Sequence, residues 1–410
     1  MYKRLIFIIV FLGFNHSGFS QPVVGQGLID ARSFDFTKNG LPLNGQWFWY
    51  DNKLLTPDET IYQKAELVEF PKTWDEVRDS KNGQGVATYS LTVLAPGNIP
   101  RLAVEIPAMY NSYRLWVNDK LVASNGSPGK TKEETVPQWL RQTVSFENNS
   151  DSIRITLQIA NFHHYRGGCK SSIYLGEAAN MMAKQTISTA SKLTECATLF
   201  VFAVVYAIIY FFRGRKKAAI YFALLCLTWS IRSVFYNNYI FISFFPDFNW
   251  TLMVKIEYLT LYFTTIWSIL FLTRLFPAES SPIFKYLLVA LNGLFILFTV
   301  LSAPVDFTRF VPVYIITIGV LILYSIQVVF RALVNERTGS GFLSGSILLA
   351  LALFTYDIFA YEGIFSYVPL VFSIAYIVIF AIVGVAILLY LNILKSLTKS
   401  SDTLTYKDFF

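Results

Sequence analysis

The pattern of hydrophobic positions divides the chain into two halves with different periods. From Leu193 to Leu394 apolar residues run almost without interruption, and charged residues break the run into seven stretches. Each stretch is close to the ~20 residues that an α-helix needs to cross a ~30 Å hydrocarbon layer. Because lipid offers no partner to backbone N–H and C=O groups, the stretches are expected to be helices. The segment 191–394 is therefore predicted to be an all-α seven-helix transmembrane bundle.

The loops between these stretches differ in charge at the two ends of the bundle. One end carries a single basic residue, Arg309, and basic residues crowd the other end. The positive-inside rule places the basic end in the cytoplasm, with the N-terminal half outside. The basic residues are Arg213, Arg215, Lys216, Lys217, Arg274, Lys285, Arg331, Arg337, Lys395, Lys399 and Lys407.

Before the bundle, short alternating segments are separated by turn residues, which is typical of β-strands. Asn118-Asp119 stands between two such segments and predicts a hairpin, because Asn and Asp tolerate positive φ. The segment 21–180 is predicted to be an all-β sandwich of jelly-roll type, and 181–190 a linker. The predicted strands lie at 46–50, 88–93, 102–106, 113–117, 154–159 and 172–175.

The N-terminus predicts export. Lys3 and Arg4 precede a short apolar core, and small residues follow up to Ser20, which is typical of a cleaved signal peptide over 1–20. The protein is thus predicted to be a multi-pass protein of a bacterial inner membrane, with residues 395–410 as a short cytoplasmic tail.

Composition narrows the classes of function. The chain is 54% hydrophobic with a net charge of +7, yet the segment 21–189 holds equal numbers of basic and acidic residues. The surplus charge therefore reflects membrane orientation, and nucleic-acid binding is not expected. Cys169 is the one cysteine before the bundle, so no internal disulfide is expected there. No motif for catalysis, a cofactor or a metal is apparent, so no enzyme activity is expected.

Ionisable residues inside apolar spans are costly and suggest function. Five of them are expected in the outer half of the bilayer, with Arg232 pairing with Glu257 or Asp357. The functional interpretation is a switch that responds to the outer domain; the alternative is a static ion pair, or side chains that reach the interface. The five residues are Glu195, Arg232, Lys255, Glu257 and Asp357.

A second candidate set lies outside the membrane. His163, His164, Tyr165 and Arg166 precede Gly167-Gly168, which permits a tight turn, and could line a ligand pocket. Trp139 offers an aromatic face of the kind on which sugars stack. The alternatives are a structural turn for the two histidines and core packing for the tryptophans.

Three motifs carry a resemblance to a known family. The segment 113–121, with Trp116-Val117-Asn118, resembles the hairpin of galactose-binding-like jelly rolls, and 161–168 and 173–176 resemble bacterial seven-transmembrane receptors with diverse intracellular signalling modules. The resemblance implies an extracellular sensor domain, a carbohydrate ligand and a signalling role. The family usually continues into an output domain that is not seen after 394. Three interpretations are open: signalling through a separate cytoplasmic protein, an incomplete gene product, or a function carried out outside the membrane. The alternatives are a glycan-binding anchor of the envelope or a transporter subunit.

Overall fold

The computed structural model describes residues 25–38, 40–97, 99–361 and 368–392, with the backbone alone for residue 354 and for residues 357–361. The predicted signal peptide over 1–20 and the predicted tail over 395–410 lie outside the described residues. Strands occupy the first part of the described chain and long helices the second. The prediction of an all-β domain followed by a helical membrane domain is confirmed.

The β domain consists of two sheets. Its strands are β1 Leu28–Asp30, β2 Leu41–Pro42, β3 Gly45–Asp51, β4 Glu66–Phe70, β5 Gly85–Leu94, β6 Arg101–Ile106, β7 Ser112–Val117, β8 Lys120–Asn125, β9 Gln142–Glu147, β10 Ser152–Asn161 and β11 Tyr174–Glu177. One sheet has the order β4-β3-β5-β10-β7-β8 with β1 beside β5, and the other has the order β2-β11-β6-β9. The hairpin predicted at Asn118-Asp119 joins β7 to β8, and Asn118 has φ 54°.

The core of the β domain lies between the two sheets. Leu157 on β10 pairs with Tyr89 on β5 and with Leu115 on β7, and all three side chains are buried. Val104 and Leu175 from the second sheet join the same apolar cluster. Burial of these side chains from water is the main force that holds the sheets together.

Short helices α1 Pro57–Ile61 and α2 Trp74–Val77 interrupt the β domain, and α3 Ala178–Phe212 follows it directly. The predicted linker over 181–190 is therefore part of a 35-residue helix. Its first turns carry polar residues and hide the helical period, but Met181 packs against Gly40, Gly176 and Ala103 of the sheet. The helix thus continues from the β domain into the membrane half without a break.

The remaining helices are α4 Lys217–Phe235, α5 Ile240–Phe244, α6 Trp250–Leu275, α7 Pro282–Leu301, α8 Pro304–Phe307, α9 Val311–Val334, α10 Ser340–Tyr361 and α11 Pro369–Tyr390. Six of the helices in the described part of the chain are long and apolar enough to cross a membrane, and α10 has a shorter apolar stretch, Ser340–Leu353. The second span, α4, ends at Phe235. Tyr239 takes a left-handed conformation with φ 47° there, and the chain turns into α5.

Candidate functional site at the junction of the two domains

Aromatic rings from both domains meet where the β domain rests on the helices. Trp139 is 3% exposed, and its ring lies 5.2 Å from Tyr239, 5.6 Å from Trp250 and 5.4 Å from His164, measured between centroids. Tyr110 stacks on His164 at 4.6 Å. We call Tyr110, Trp139, His164, Tyr239 and Trp250 the junction cluster. Three of its members belong to the β domain and two to the helical domain, so the cluster binds the domains together.

The loop between β8 and β9 positions Trp139. Gly126 begins the loop with φ +61°, and a Cβ at this position would lie 2.2 Å from the carbonyl oxygen of Val136, so the close approach requires glycine. The side chain of Asn125 donates to the carbonyl oxygen of Gln138 at 2.8 Å. These contacts fold the loop back on itself and direct its last residues toward the helices.

The side chain of Asn161 organises the turn that carries the two histidines. Its Nδ2 donates to the carbonyl oxygens of Gly83, His164 and Arg166 at 2.7–2.9 Å, and its Oδ1 accepts from the amide of His164 at 3.0 Å. Gly167 packs so closely that an added Cβ would lie 1.9 Å from the carbonyl oxygen of Gly83. The glycine pair therefore lets the turn close tightly, as expected from the sequence.

Hydrogen bonds surround the junction cluster. Gln138 Nε2 donates to the carbonyl oxygen of Pro246 at 3.0 Å, and the amide of Tyr165 donates to Thr308 Oγ1 at 3.2 Å. Arg141 Nη1 donates to Asn238 Oδ1 at 2.9 Å, and Asn238 Nδ2 donates to Ser188 Oγ on α3 at 2.8 Å. The β domain is thus bonded to the α4–α5 loop, to the α5–α6 loop and to the turn after α8, and Asn238 links the α4–α5 loop to α3.

A buried carboxylate adds a charged link. Glu105 on β6 accepts from Arg141, and Lys184 on α3 lies 3.8 Å from it. Burial by itself would raise the pKa of Glu105, but the charges of Arg141 and Lys184 outweigh burial and hold the pKa below its usual range. Glu105 therefore stays ionised at neutral pH and ties the second sheet to α3.

Lowering the pH from about 6.5 to about 4 is expected to destabilise the protein through His164. Burial lowers the pKa of this ring to about 4 from its ordinary 6.5. The unfolded chain then takes up the proton at higher pH than the folded one, and the free energy of unfolding falls by about 3 kcal/mol across the window. Urea unfolding of the detergent-solubilised full chain at several pH values measures this.

The variant His164→Asn keeps an acceptor for the amide of Arg166, which His164 Nδ1 accepts at 3.0 Å, but cannot titrate. Its stability is expected to change much less between pH 6.5 and 4. The control is His163→Asn, which removes the neighbouring, half-buried ring; burial also lowers the pKa of that ring. Equal pH dependence in His164→Asn and the wild type would contradict the assignment.

The five residues predicted to bind a ligand all lie at the junction. Trp139 and His164 are buried, whereas His163, Tyr165 and Arg166 are half-buried. The ring of His163 lies 6.2 Å from that of Trp250, and Arg309 stacks over Tyr165 at 5.4 Å. The set therefore contacts the helices, and binding of a ligand by it stays a prediction.

Several buried nitrogen atoms at the junction have no hydrogen-bond partner among the described residues. They are Trp139 Nε1, Trp250 Nε1, His163 Nδ1 and His164 Nε2. Unpaired buried polar groups of this kind cost free energy. Four such atoms therefore lie in the contact between the two domains.

The predicted intramembrane polar cluster divides into separate contacts. Arg232 Nη1 donates to the main-chain carbonyl oxygen of Glu257 at 2.9 Å, and its guanidinium lies 4.3 Å from the ring of Tyr236. The described contact is thus with the carbonyl of Glu257 and not with its carboxylate, which accepts from Tyr239 OH at 3.4 Å. Lys255 Nζ donates to the carbonyl oxygen of Val300 at 2.7 Å. The side chain of Asp357 lies outside the described residues.

Glu195, predicted to join that cluster, has a different partner. Lys192 Nζ lies 2.8 Å from Glu195 Oε2, which also accepts from Ser373 Oγ on α11 at 2.9 Å. The charged side chains are 7% and 1% exposed. Lys192 was missed because the first span was predicted to begin at Ser191, where a lysine is unremarkable. The spacing i, i+3 was the available signal, since it places both residues on one helix face.

A further polar contact joins α6, α7 and the first turn of α9. Tyr314 OH lies 2.7 Å from Thr265 Oγ1 and donates to Asn292 Oδ1 at 2.8 Å. Asn292 is fully buried at the centre of α7. Buried polar side chains therefore connect α6, α7 and α9 within the helical domain.

A polar groove of about 360 Å³ opens on the β domain. Arg78 forms its floor: the guanidinium bonds to Asp51 and stacks on Trp74 at 4.3 Å. Glu66 and Asp79 also line the groove, and both are exposed. Sequence reasoning missed this groove because its residues come from separate loops. The other lining residues are Trp49, Asn52, Val77, Ser80, Asn82 and Gln84.

In the described part of the chain, His, Cys, Asp and Glu side chains form no group that could hold a metal ion. No curated protein matches the sequence. Among solved structures, a β-galacturonidase of Eisenbergiella tayi bound to galacturonate is 14% identical, over 36% of this chain and 26% of that one, with a TM-score of 0.26. A β-glucuronidase of Parabacteroides merdae is 11% identical over 34% and 22%, with a TM-score of 0.27.

A putative β-galactosidase of Bacteroides fragilis is 16% identical over 33% of this chain and 23% of that one, with a TM-score of 0.25. The chain thus spans about a quarter of the length of these glycosidases, and likenesses this weak carry no argument about function. The family model described as 7TM diverse intracellular signalling matches residues 196–397. Together with the β domain ahead of the long apolar helices, this match shows that the chain belongs to the family of seven-transmembrane receptors with diverse intracellular signalling modules.

Proposed function

We propose that the protein is a receptor whose β domain binds an extracytoplasmic carbohydrate and relays this event through the helices to a separate cytoplasmic protein. The observation that carries the proposal is the junction. Buried rings, the hydrogen bonds of Gln138, Arg141 and Tyr165, and the ionised Glu105 all connect the β domain to the helices. A displacement of the β domain then has to move the helix ends, because packed interiors are close to incompressible.

The relay has a continuous path in the outer half of the helices. Asn238 and Ser188 link the β domain to α3, and Lys192, Glu195 and Ser373 link α3 to α11 a short distance further along. At the opposite end, Arg337 donates to Glu279 at 2.6 Å and joins the α6–α7 loop to the α9–α10 loop. The helices thus have polar connections at both ends, which can change partners when the helices shift.

The polar groove supports a hydroxyl-rich ligand. Carboxylates such as Glu66 and Asp79 accept hydrogen bonds from sugar hydroxyls, and the amides of Asn52, Asn82 and Gln84 can both donate and accept. The buried Arg78 is held by Asp51 and by the carbonyl oxygens of neighbouring residues, so the floor is pre-organised. The groove also has an acidic rim, which disfavours anionic ligands.

The orientation follows from the charge of the loops. The β domain contacts one end of the bundle, and Arg213, Lys216, Arg274 and Arg331 lie at the other ends of their helices. The positive-inside rule then places the β domain outside the inner membrane of a bacterium. The inner loops become the surface on which the cytoplasmic partner binds.

A glycan-array screen of the full chain in lipid nanodiscs tests the proposal. A bound glycan that changes amide hydrogen exchange in the inner loops supports the receptor. Binding without any change in the inner loops favours the alternative, an envelope anchor without signalling, and an array without hits would contradict a carbohydrate ligand. The variant Glu66→Gln with Asp79→Asn should lose binding if the groove is the site. The matched variant His163→Asn with Arg166→Gln removes binding if the ligand lies at the junction.

A further inference from the structure

A second opening, of about 420 Å³, lies between two helices of the membrane domain. It is lined by Ser281 and Phe284 from α7 and by Val320, Leu323, Tyr324 and Gln327 from α9. Both helices pack on α6, and Leu288, Ile269 and Leu321 form an apolar cluster behind the opening. Leu323 is 69% exposed, so the opening faces the surroundings of the bundle and not its interior. Its volume falls in the range of about 300–1,000 Å³ that is usual for ligand sites.

The opening is apolar along its length and polar at one end. Phe284 stacks on Tyr324 at 4.2 Å, and Tyr324 OH accepts from the amide of Ser281 at 2.7 Å, which fixes the wall at that end. Ser281 stands at the start of α7 and Gln327 lies in the last third of α9. The polar end therefore lies at the basic end of the bundle, at the level of lipid headgroups.

Two basic residues lie one helical turn from the polar residues of the opening. Lys285 lies one turn after Ser281 on α7, and Arg331 lies one turn after Gln327 on α9. Side chains on a helix tilt toward its N-terminus, so Lys285 leans toward Ser281 and Arg331 leans toward Gln327. Because the two helices run in opposite directions, the two side chains lean in opposite directions along the bundle and converge on the level of Ser281 and Gln327.

Neither of these charges is neutralised by an ion pair among the described residues. The ammonium of Lys285 lies 4.1 Å from the ring of Tyr286, and Arg331 is exposed. By contrast, Arg337 at the same end of the bundle is paired with Glu279. The opening thus combines an apolar channel with two unneutralised positive charges at headgroup level.

We propose that this opening binds an anionic phospholipid, with an acyl chain along Phe284, Val320 and Leu323 and its phosphate between Lys285 and Arg331. The positive charges at the polar end favour an anionic headgroup, and the apolar walls contact the acyl chain. Each basic residue near the membrane surface contributes about fivefold in affinity for an anionic lipid, so the pair contributes about 25-fold. This site is independent of the ligand of the β domain.

Native mass spectrometry of the delipidated full chain tests the proposal with phosphatidylglycerol and phosphatidylcholine that carry the same acyl chains. The wild type is expected to bind phosphatidylglycerol about 25-fold more tightly, and Lys285→Gln with Arg331→Gln to lose this preference. The control, Lys216→Gln with Lys217→Gln, removes the same charge from another inner loop and should keep it. Equal affinity of the wild type for both lipids, or an unchanged preference in the first double variant, overturns the proposal.

A second pair of variants tests the channel itself. Val320→Trp fills the opening and should weaken binding of both lipids at this site, whereas Ile315→Trp lies on another face of α9 and should not. Unchanged lipid binding by Val320→Trp overturns the proposal. A second outcome would also overturn it: the wild type gives a dimeric mass, shows no preference between the two lipids, and loses the dimer in Val320→Trp. The opening would then hold a second copy of the protein.

Discussion

Replacing Lys192 by methionine is expected to lower the free energy of unfolding by about 3 kcal/mol. The ammonium lies 2.8 Å from Glu195 Oε2, and both side chains are buried. Methionine retains most of the side-chain volume but removes the charge, so the carboxylate of Glu195 keeps Ser373 as its one described partner. Equilibrium unfolding in mixed detergent micelles, followed by circular dichroism, measures the loss.

The double variant Lys192→Met with Glu195→Leu separates the charge from the packing. A buried pair replaced by apolar residues of similar volume is often close to neutral, so the double variant should recover most of the stability. Lys217→Met serves as the control, because Lys217 is exposed at the start of α4 and should change little. A single variant as stable as the wild type would show that the pair does not hold α3 to α11.

Replacing Trp139 by alanine is expected to loosen the β domain from the helices. The indole is 3% exposed and touches rings of both domains, and removing a buried aromatic side chain costs about 3–5 kcal/mol. Because Trp139 lies between the domains, the loss should appear as faster amide hydrogen exchange in α5 and in the first turn of α6. Exchange followed by mass spectrometry in nanodiscs measures the effect segment by segment.

Trp116→Ala is the matched control for this change. Trp116 is half-buried on β7, where its neighbours belong to β8 and β10. Its loss should speed exchange in those strands and leave α5 and α6 as they are. If Trp139→Ala left exchange in α5 and α6 unchanged, the junction cluster would not couple the domains, and the proposed relay would lose its support.

Patterns of short range were sufficient for much of the fold. The alternation at 113–117 and the Asn118-Asp119 turn predicted the β7–β8 hairpin, because both depend on residues that are adjacent in sequence. The apolar run at 251–275 predicted α6 to within one residue. The β7–β8 hairpin lies between the core and water, and α6 lies in lipid. Each environment selects apolar or polar residues at positions that can be recognised in the local sequence.

Sequence patterns were not sufficient where a segment distant in sequence determines the burial or the conformation of an element. The β5 strand is buried on nearly every position, because loop residues such as Lys53 and Leu55 cover its outer face and bond to Thr88. The first turns of α3 resemble a polar linker, yet Met181 packs into the sheet and makes them helical structure. When another segment covers the outer face of a strand or helix, both faces are buried, and the alternation of apolar and polar residues is lost.

The candidate site shows the same division. The Gly167-Gly168 pair and the histidines before it were recognisable as a turn, because glycine at close approach is a local requirement. The contacts of this turn with Trp250 and Thr308, which lie more than eighty residues away, could not be predicted from the sequence. Likewise, a charged residue in a span can be identified from the sequence, but its partner cannot be, since several helices offer carbonyl and carboxylate oxygens at similar depth.

The amino-acid sequence by itself determined the division into a β domain and a membrane bundle, since water around the first and lipid around the second select residues position by position. Only the tertiary structure decided that Trp139 and His164 lie between the domains, that Arg232 contacts a main-chain carbonyl, and that Lys192 pairs with Glu195. These contacts depend on the distance and angle between packed elements. Hydrophobic burial is non-directional and leaves those quantities open until side chains interlock.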